Sequence, residues 1–457
     1  MTVYLLPLII VWFGAVALAR LDGRRSWVAW IALSALMAAF LISFRNALVI
    51  YEFGPQEVVT GGWPRQVGIT LRSDSLGITF TALANLLLLV SLFFEYLRGI
   101  EERTFPALIL FLTAGLNGLF LTYDVFDFYV FFEISMTASY VLSSYGQESK
   151  EIRNTFTFTA INLVGSAIFL LSIGALYRLT GTLEMEAVSV FTRSADATTV
   201  ILVATLLFVA FSIKLGLFPF HFWLPSVYRG VRPVVAAILS GVLANIGSYG
   251  LLRFGAGLLK PELQYASNVL LVLGAASIIY GAFIAASREV SSEVLAYSSI
   301  SQAGYILVAL VIGGPLGYAA AVLYSIINSF NKTMLFLTTG MRGWLVGASF
   351  FIGALSVAGV PPALGFFGKA AIFRAAVPSF SPFIIASLLF LGSALSFVYM
   401  FQIYQKRFWA HPDRESSPMR LRMLVLFLAS VLVFFGIWPQ FILGVSERAI
   451  LVLLGGP

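Results

Sequence analysis

Three lysines and one glutamate stand where a charge is costly. Lys214 lies inside TLLFVAFSIKLGLFPFHFWL (205–224), Glu133 inside DVFDFYVFFEISMTASYVL (124–142), Lys332 inside SIINSFNKTMLFL (325–337) and Lys369 near the end of ALSVAGVPPALGFFGKAAIF (354–373). An unpaired charge at the centre of a membrane helix costs roughly 2.5 to 3.5 kcal/mol, so such residues face a protein interior or a wet cavity and mark ion pathways. Snorkelling to an interface is the competing reading for Lys214 and Lys332. Five residues beyond Lys214, Pro219 has no N–H to give the carbonyl of Leu215, which predicts a kinked or broken helix beside the charge. Pro361 and Pro362 predict a second break, with Lys369 following in the interior of its span. A broken helix at membrane depth is tolerated only where protein buries it or where it lines a cavity.

Further polar residues recur around these four. Asp124 and Asp127 fall in the first turn of their segment, where helix capping and function are both served by a carboxylate. Glu133 lies half a turn from Asp124 and 240° from Asp127 at 100° per residue, so the three acids do not share a face. His221 has the chemistry of a proton relay near neutrality, and equally that of an interfacial histidine held by aromatic neighbours. In the segment from Ala236 to Arg253, Asn245, Ser248 and Tyr249 form a polar stripe without charge, suited to helix packing or to holding water. Ser298, Ser301, Gln302 and Tyr305 share one face of a later segment, and Ser325, Asn328 and Lys332 share one face of the next.

The elements that carry these residues are membrane helices. Of 457 residues, 60% are hydrophobic and 11% charged, with a mean hydropathy of +0.94, the composition of a polytopic membrane protein. The net charge of +7 resides in short loops and reads as a topology signal, not as a nucleic-acid surface. The absence of cysteine excludes disulfides, thiolate-held clusters and cysteine-ligated zinc. With only His221 and His411, this chain builds no haem or metal centre by itself, and no nucleotide fingerprint or nucleophile elbow points to a cofactor or a soluble enzyme. The span Val3 to Ala19 has neither a basic lead nor a cleavage site, and is expected to be a retained helix.

Apolar segments fall near 3–19, 27–48, 76–97, 105–122, 124–145, 155–177, 198–224, 233–254, 267–286, 295–313, 317–340, 345–376, 381–405 and 422–444, which predicts an all-α membrane domain of about fourteen helices. Of 28 Lys and Arg, 16 lie in the loops after odd-numbered segments and about seven in the alternate loops. That bias puts the first set in the cytoplasm and both termini outside. The two longest outer connections, Tyr51 to Asp74 and Leu179 to Thr199, are too short to fold as domains. Two proline-broken segments, each with a lysine and five segments apart, fit a pair of inverted repeats, because an odd separation reverses direction through the membrane. The expected organisation is one membrane domain: helices 1–3 (1–104), a first repeat of helices 4–8 (105–256), a second of helices 9–13 (257–405) and a C-terminal helix (406–457).

Taken together, DVFDFYVFFEISMTASY, NLVGSAIFLLSIGALYRLTGTL, KLGLFPFHFWLP, LAYSSISQAGYI, NKTMLF and GALSVAGVPPALGFFGK resemble the antiporter-like membrane subunits of respiratory complex I. The closer likeness is to the D subunit of Mrp-type sodium/proton antiporters and its counterparts in membrane-bound hydrogenases. The resemblance runs from about Asp74 to Phe408. It implies fourteen helices with inverted repeats and a proton path in which Glu133 and Lys214 gate uptake, Lys332 holds the centre of a polar axis and Lys369 stands near the exit. It also implies a prokaryotic cytoplasmic membrane, partner membrane subunits including further antiporter-like ones, and a translocase or cation antiporter. Protons are then the ions moved, with sodium a further candidate, and a redox module or ion gradient in other subunits drives them; the competing readings are a non-conducting structural subunit of such a complex and an autonomous secondary transporter. Three departures stand out: Asn245 and Ser240 occupy the region where relatives carry an eighth-helix lysine or histidine, Ser226 follows WLP where aspartate is usual, and the connection TTGMRGWLVG is short.

Overall fold

The structure is a computed structural model that describes residues 2–63, 68–145, 149–409 and 417–455, so His411 lies outside the described residues. Helices dominate, because in lipid a backbone N–H is satisfied most cheaply by a carbonyl of its own segment. They are α1 (Leu6–Leu18), α2 (Ser26–Phe53), α3 (Ser75–Arg98), α4 (Phe105–Leu121), α5 (Val125–Ser143), α6 (Ser149–Thr180), α7 (Met185–Thr192), α8 (Ala197–Leu215) and α9 (Leu224–Gly230). After these come α10 (Pro233–Leu258) and α11 (Lys260–Tyr265), then α12 (Ser267–Ala286), α13 (Ser291–Ile312), α14 (Gly314–Leu337), α15 (Trp344–Ala358), α16 (Gly365–Ala376), α17 (Pro382–Tyr404), α18 (Met419–Ile437) and α19 (Gln440–Ala449).

Among the described residues, ten helices are long and apolar enough to cross a membrane. The other predicted segments fall on the shorter apolar helices Val3–Leu18, Phe105–Leu121 and Trp344–Ala358, and on α14, whose Ser, Asn and Lys lower its hydropathy. Both of the long connections, Tyr51 to Asp74 and Leu179 to Thr199, hold small elements that hydropathy does not reveal. The first contains an antiparallel pair, β1 (Gln56–Val59) against β2 (Thr70–Ser73), in the register Gln56↔Ser73 to Val59↔Thr70. The second contains α7, capped by Glu184, whose side chain accepts from the Ala187 amide at 3.0 Å.

The predicted breaks are real, and the two are built alike. α8 ends at Leu215 with Gly216 at φ +73°, and α15 ends at Ala358 with Gly359 at φ +79°. A left-handed residue after the last helical turn is where glycine is favoured. In both places the chain reads Gly-x-x-Pro, Gly216 to Pro219 and Gly359 to Pro362, with a cis peptide before that proline. The second halves, α9 and α16, resume after the break. Lys214 belongs to the half before its break and Lys369 to the half after.

Position within the bundle follows burial. The apolar window of α10 is 94% buried and that of α13 is 89%, against 28% for α18, so α10 and α13 run through the middle and α18 along the rim. α12 and α13 approach closely through glycine: a Cβ on Gly304 would lie 2.6 Å from the carbonyl oxygen of Gly274, and one on Gly281 equally close to the Ser301 amide. Small residues at such crossings let helices gain packing where no hydrophobic force separates protein from lipid.

Candidate ion-translocation site

Lys214 stands in the last turn of α8 and is buried. Its ammonium donates to the backbone carbonyl of Asn162 on α6 at 3.1 Å and lies 4.3 Å from the centre of the Phe132 ring. A desolvated cation over an aromatic face gains about 2 kcal/mol. Glu133 follows Phe132 on α5 but makes no ion pair with Lys214 within 4.0 Å; its Oε1 is buried without a hydrogen-bond partner. It lines an apolar groove of about 500 Å³ with Trp12, Leu108, Phe111, Tyr129 and Thr137, between α1, α4 and α5. The helical turn of 100° per residue thus sends the ring toward the lysine and the carboxylate toward the groove.

Between Lys214 and α10 lies an enclosed cavity of about 10 Å³, lined by Asn162, Trp223, Leu239, Leu243 and Ala244 among others, the size of one water. The π-helical turns Leu239–Leu243 and Leu251–Leu258 flank a short α-helical stretch that begins at Asn245, and such turns are frequent at functional sites. Asn245 is held by its neighbours: Nδ2 donates to Ser329 Oγ at 2.9 Å and to the Gly241 carbonyl at 3.2 Å, and its Oδ1 accepts from Ser329 at 3.1 Å. Ser240, one turn earlier, meets Ser299 at 2.9 Å. Ser299 in turn donates to the Leu295 carbonyl at 2.9 Å.

That carbonyl also accepts from Lys332 Nζ, at 3.2 Å, while Ser298 Oγ accepts from it at 2.7 Å. Lys332 is 0% exposed, which excludes snorkelling. From Ser298 the contacts continue: to the Tyr399 hydroxyl at 2.9 Å, to which Gln302 Nε2 donates at 3.4 Å, while the Tyr324 hydroxyl donates to Gln302 Oε1. Tyr324 stacks on Tyr305 at 5.3 Å, and Lys369 Nζ lies 4.8 Å from the Tyr305 ring centre. Lys369 also donates to the Ala358 carbonyl at 3.0 Å, the last of α15. The break therefore leaves a helix C-terminus, negative by its dipole, as the acceptor for an ammonium. At the other break an indole is the donor: Trp223 Nε1 donates to the Ile213 carbonyl, two residues before the end of α8, at 3.1 Å.

The structure thus gathers Ser240, Asn245, Lys332 and Lys369 on one row, with Lys214 separated from α10 by the small cavity and Glu133 turned outward. His221 is off the row. Its ring packs against Tyr280 at 4.6 Å and Phe218 at 5.5 Å, with Nδ1 unpartnered, which is the aromatic-held arrangement. Asp124 is a cap, accepting from the amides of Phe126 and Asp127 at 2.8 Å each. Sequence reasoning missed Tyr399, Ser299 and Ser329. Ser329 is detectable as the residue three before Lys332, and Tyr399 as the third of Ser393, Ser396 and Tyr399, spaced by three along α17, where its hydroxyl meets Ser396 at 3.3 Å. It also missed a buried pair outside the row: Arg253 on α10 meets Asp74, the N-cap of α3, at 2.7 and 2.8 Å, while Tyr249 accepts from Arg253 and donates to the Phe120 carbonyl at 3.1 Å.

A membrane bundle with two helices broken beside buried lysines, and a third buried lysine set among hydroxyls at its middle, is the build of an antiporter-like membrane protein. Residues 122–344 match the family described as NADH:quinone oxidoreductase/Mrp antiporter, transmembrane. The D subunit of the Na(+)/H(+) antiporter of Alkalihalophilus pseudofirmus is 30% identical over 419 residues, covering 87% of this chain and 85% of that protein. The chain belongs to this family. In fold it matches a chain of the Mrp complex from Dietzia sp. DQ12-45-1b with a TM-score of 0.91 at 24% identity, covering 99% of this chain and 97% of that one. A chain of respiratory complex I from Thermus thermophilus also matches, with a TM-score of 0.84 at 24% identity and 99% coverage of both.

Proposed function

We propose that this chain conducts protons, as one subunit of a multisubunit complex in a prokaryotic cytoplasmic membrane, along the row Glu133, Lys214, Asn245, Lys332 and Lys369. The observation that carries this reading is the run of polar and aromatic contacts from Ser240 through Ser299, Lys332 and Ser298 to Lys369, with Asn245 held beside it on Ser329. Burial destabilises an ammonium and a nearby carboxylate stabilises it, so movement of Glu133 away from Lys214 favours release of a proton inward. Asn245 cannot itself ionise, so the step past α10 passes through water, for which the cavity beside Lys214 has room. Asn328 Oδ1 and Ser301 Oγ, buried without protein partners, are further sites for water on the row. Partner subunits supply the driving force, a redox reaction or an ion gradient, and sodium is a candidate counter-ion because the related antiporters are named for it.

The test is proton flux in vesicles carrying the intact complex with Lys332→Ala. Flux at background with normal assembly is expected, and undiminished flux would remove the row as the path. A second reading, a non-conducting structural subunit, is favoured by one observation: both amide atoms of Asn245 are already taken by side chains and backbone.

A further inference from the structure

At the end of the bundle where α10 and α13 begin and α14 and α17 finish, a cavity of about 570 Å³ lies among Arg229, Ser291, Ser292, Arg342, Lys406 and Arg407, with Glu289 the one carboxylate on its lining. The ion row makes no use of these cations. Two of them are matched: Arg229 pairs with Glu293, and Lys406 lies 2.9 Å from Glu289, whose carboxyl it holds below the usual range. The other two are not. Arg407 donates to the carbonyls of Thr338 and Met341 at 3.0 and 2.9 Å, and Arg342 has no carboxylate partner among the described residues. These two guanidinium groups repel each other across one cavity. α13 adds to the positive side, because Val290 gives it no side-chain cap and its first-turn amides, at Ser291 and Ser292, remain open to an acceptor.

The depth of the cavity is marked by tryptophan. Arg342 and Arg407 each precede one by two residues, in Arg342-Gly343-Trp344 and Arg407-Phe408-Trp409. Both indoles project from the bundle, 68% and 63% exposed. Phe408 packs against Phe350 at 5.4 Å and over Gly347, which keeps the two segments side by side. Exposed tryptophan beside cations is the chemistry of the membrane–water interface, and the loops at this end carry the surplus of Lys and Arg that marks the cytoplasmic, anionic leaflet.

We propose that this cavity holds the phosphate group of an anionic phospholipid, with Arg342 and Arg407 as its charge-assisted donors and the first turn of α13 completing the cradle. A lipid is favoured over a free anion because the tryptophans place the cavity at headgroup depth. The proposal concerns binding and stands apart from the ion path.

The experiment uses the chain purified with the subunits that accompany it, stripped of lipid and titrated with phosphatidylglycerol or phosphatidylcholine while native mass spectrometry counts retained lipid. One phosphatidylglycerol is expected to be held more tightly than any phosphatidylcholine. Arg342→Gln should weaken it about tenfold, the scale of one charge-assisted bond. Arg407 also ties down the end of α14, so Arg407→Lys keeps the charge while removing the fork, and should weaken the same lipid. Arg193→Gln, at the opposite end, should leave it unchanged. Equal retention of both lipids, or phosphatidylglycerol retention indifferent to Arg342→Gln, overturns the proposal. Displacement of the lipid by millimolar inorganic phosphate reassigns the cavity to a free anion and overturns the lipid.

Discussion

The buried lysines are held by carbonyls, a hydroxyl and aromatic faces, with no carboxylate within ion-pair distance. A charge bound by neutral groups is easily lost and regained, which suits transfer better than a fixed ion pair would. Glu133→Gln and Lys214→Ala are each expected to cripple ion flux, and the double change to be little worse than either, since both act at one step. Fully additive losses in a double-mutant cycle would separate them. At Asn245, leucine should block flux in a complex that still assembles, whereas lysine should be tolerated in a polar setting. The structural-subunit reading expects the reverse, a harmless leucine and a disruptive lysine, so flux and assembly measured side by side decide between them. The four charged residues of the proposed path, Glu133, Lys214, Lys332 and Lys369, stand out in the sequence because a single ionisable residue in an apolar run has few explanations. Their partners were not: the carbonyls of Asn162, Leu295 and Ala358 belong to any residue type, and only the fold brings them to the ammonium groups.

Each break depends on its glycine and its proline in different ways. Gly359 adopts φ +79°, and a Cβ there would lie 2.6 Å from the Lys369 side chain. Gly359→Ala is therefore expected to cost about 1–2 kcal/mol in backbone strain and to push Lys369 off the Ala358 carbonyl. A lowered melting temperature together with reduced flux would show both effects; unchanged flux would detach Lys369 from the path. Pro361→Ala with Pro362→Ala restores two backbone donors and invites a continuous helix, so flux should fall while assembly survives. The prolines announced both breaks, and the shared Gly-x-x-Pro spacing carried still more than hydropathy reads from it. By contrast, the π-helical turns of α10 and the β1–β2 pair reflect what packs against them, not local propensity, and left no mark on the pattern.

Across the whole molecule, the Asp74–Arg253 pair ties the start of α3 to the far end of α10, with Tyr249 carrying the link on to α4. Removing either charge leaves the other buried and alone, at a cost of about 3–5 kcal/mol. Asp74→Asn and Arg253→Leu should each lower thermal stability and complex yield far more than Asp22→Asn, whose exposed pairing with Arg24 is worth little. Equal, small effects would show that the pair is not a structural tie. Sequence pattern caught the all-helical, many-span character of the chain and the order of its apolar segments but not this tie, because a charge at the end of a span reads as an ordinary boundary.

The same tie sets an order of events during synthesis. Asp74 leaves the ribosome 179 residues ahead of Arg253, so at roughly 5–20 residues per second it waits on the order of 10–35 s for its partner. Until α10 arrives, the head of α3 has no buried place to go and stays in contact with water. The sequence contains no cysteine, so a lone thiol at Ser73→Cys reports on this directly. In chains stalled before residue 253 it should react with a water-soluble maleimide, and in the full-length chain, where Ser73 is buried, it should not. Protection in the stalled chain would mean that α3 seats itself without α10.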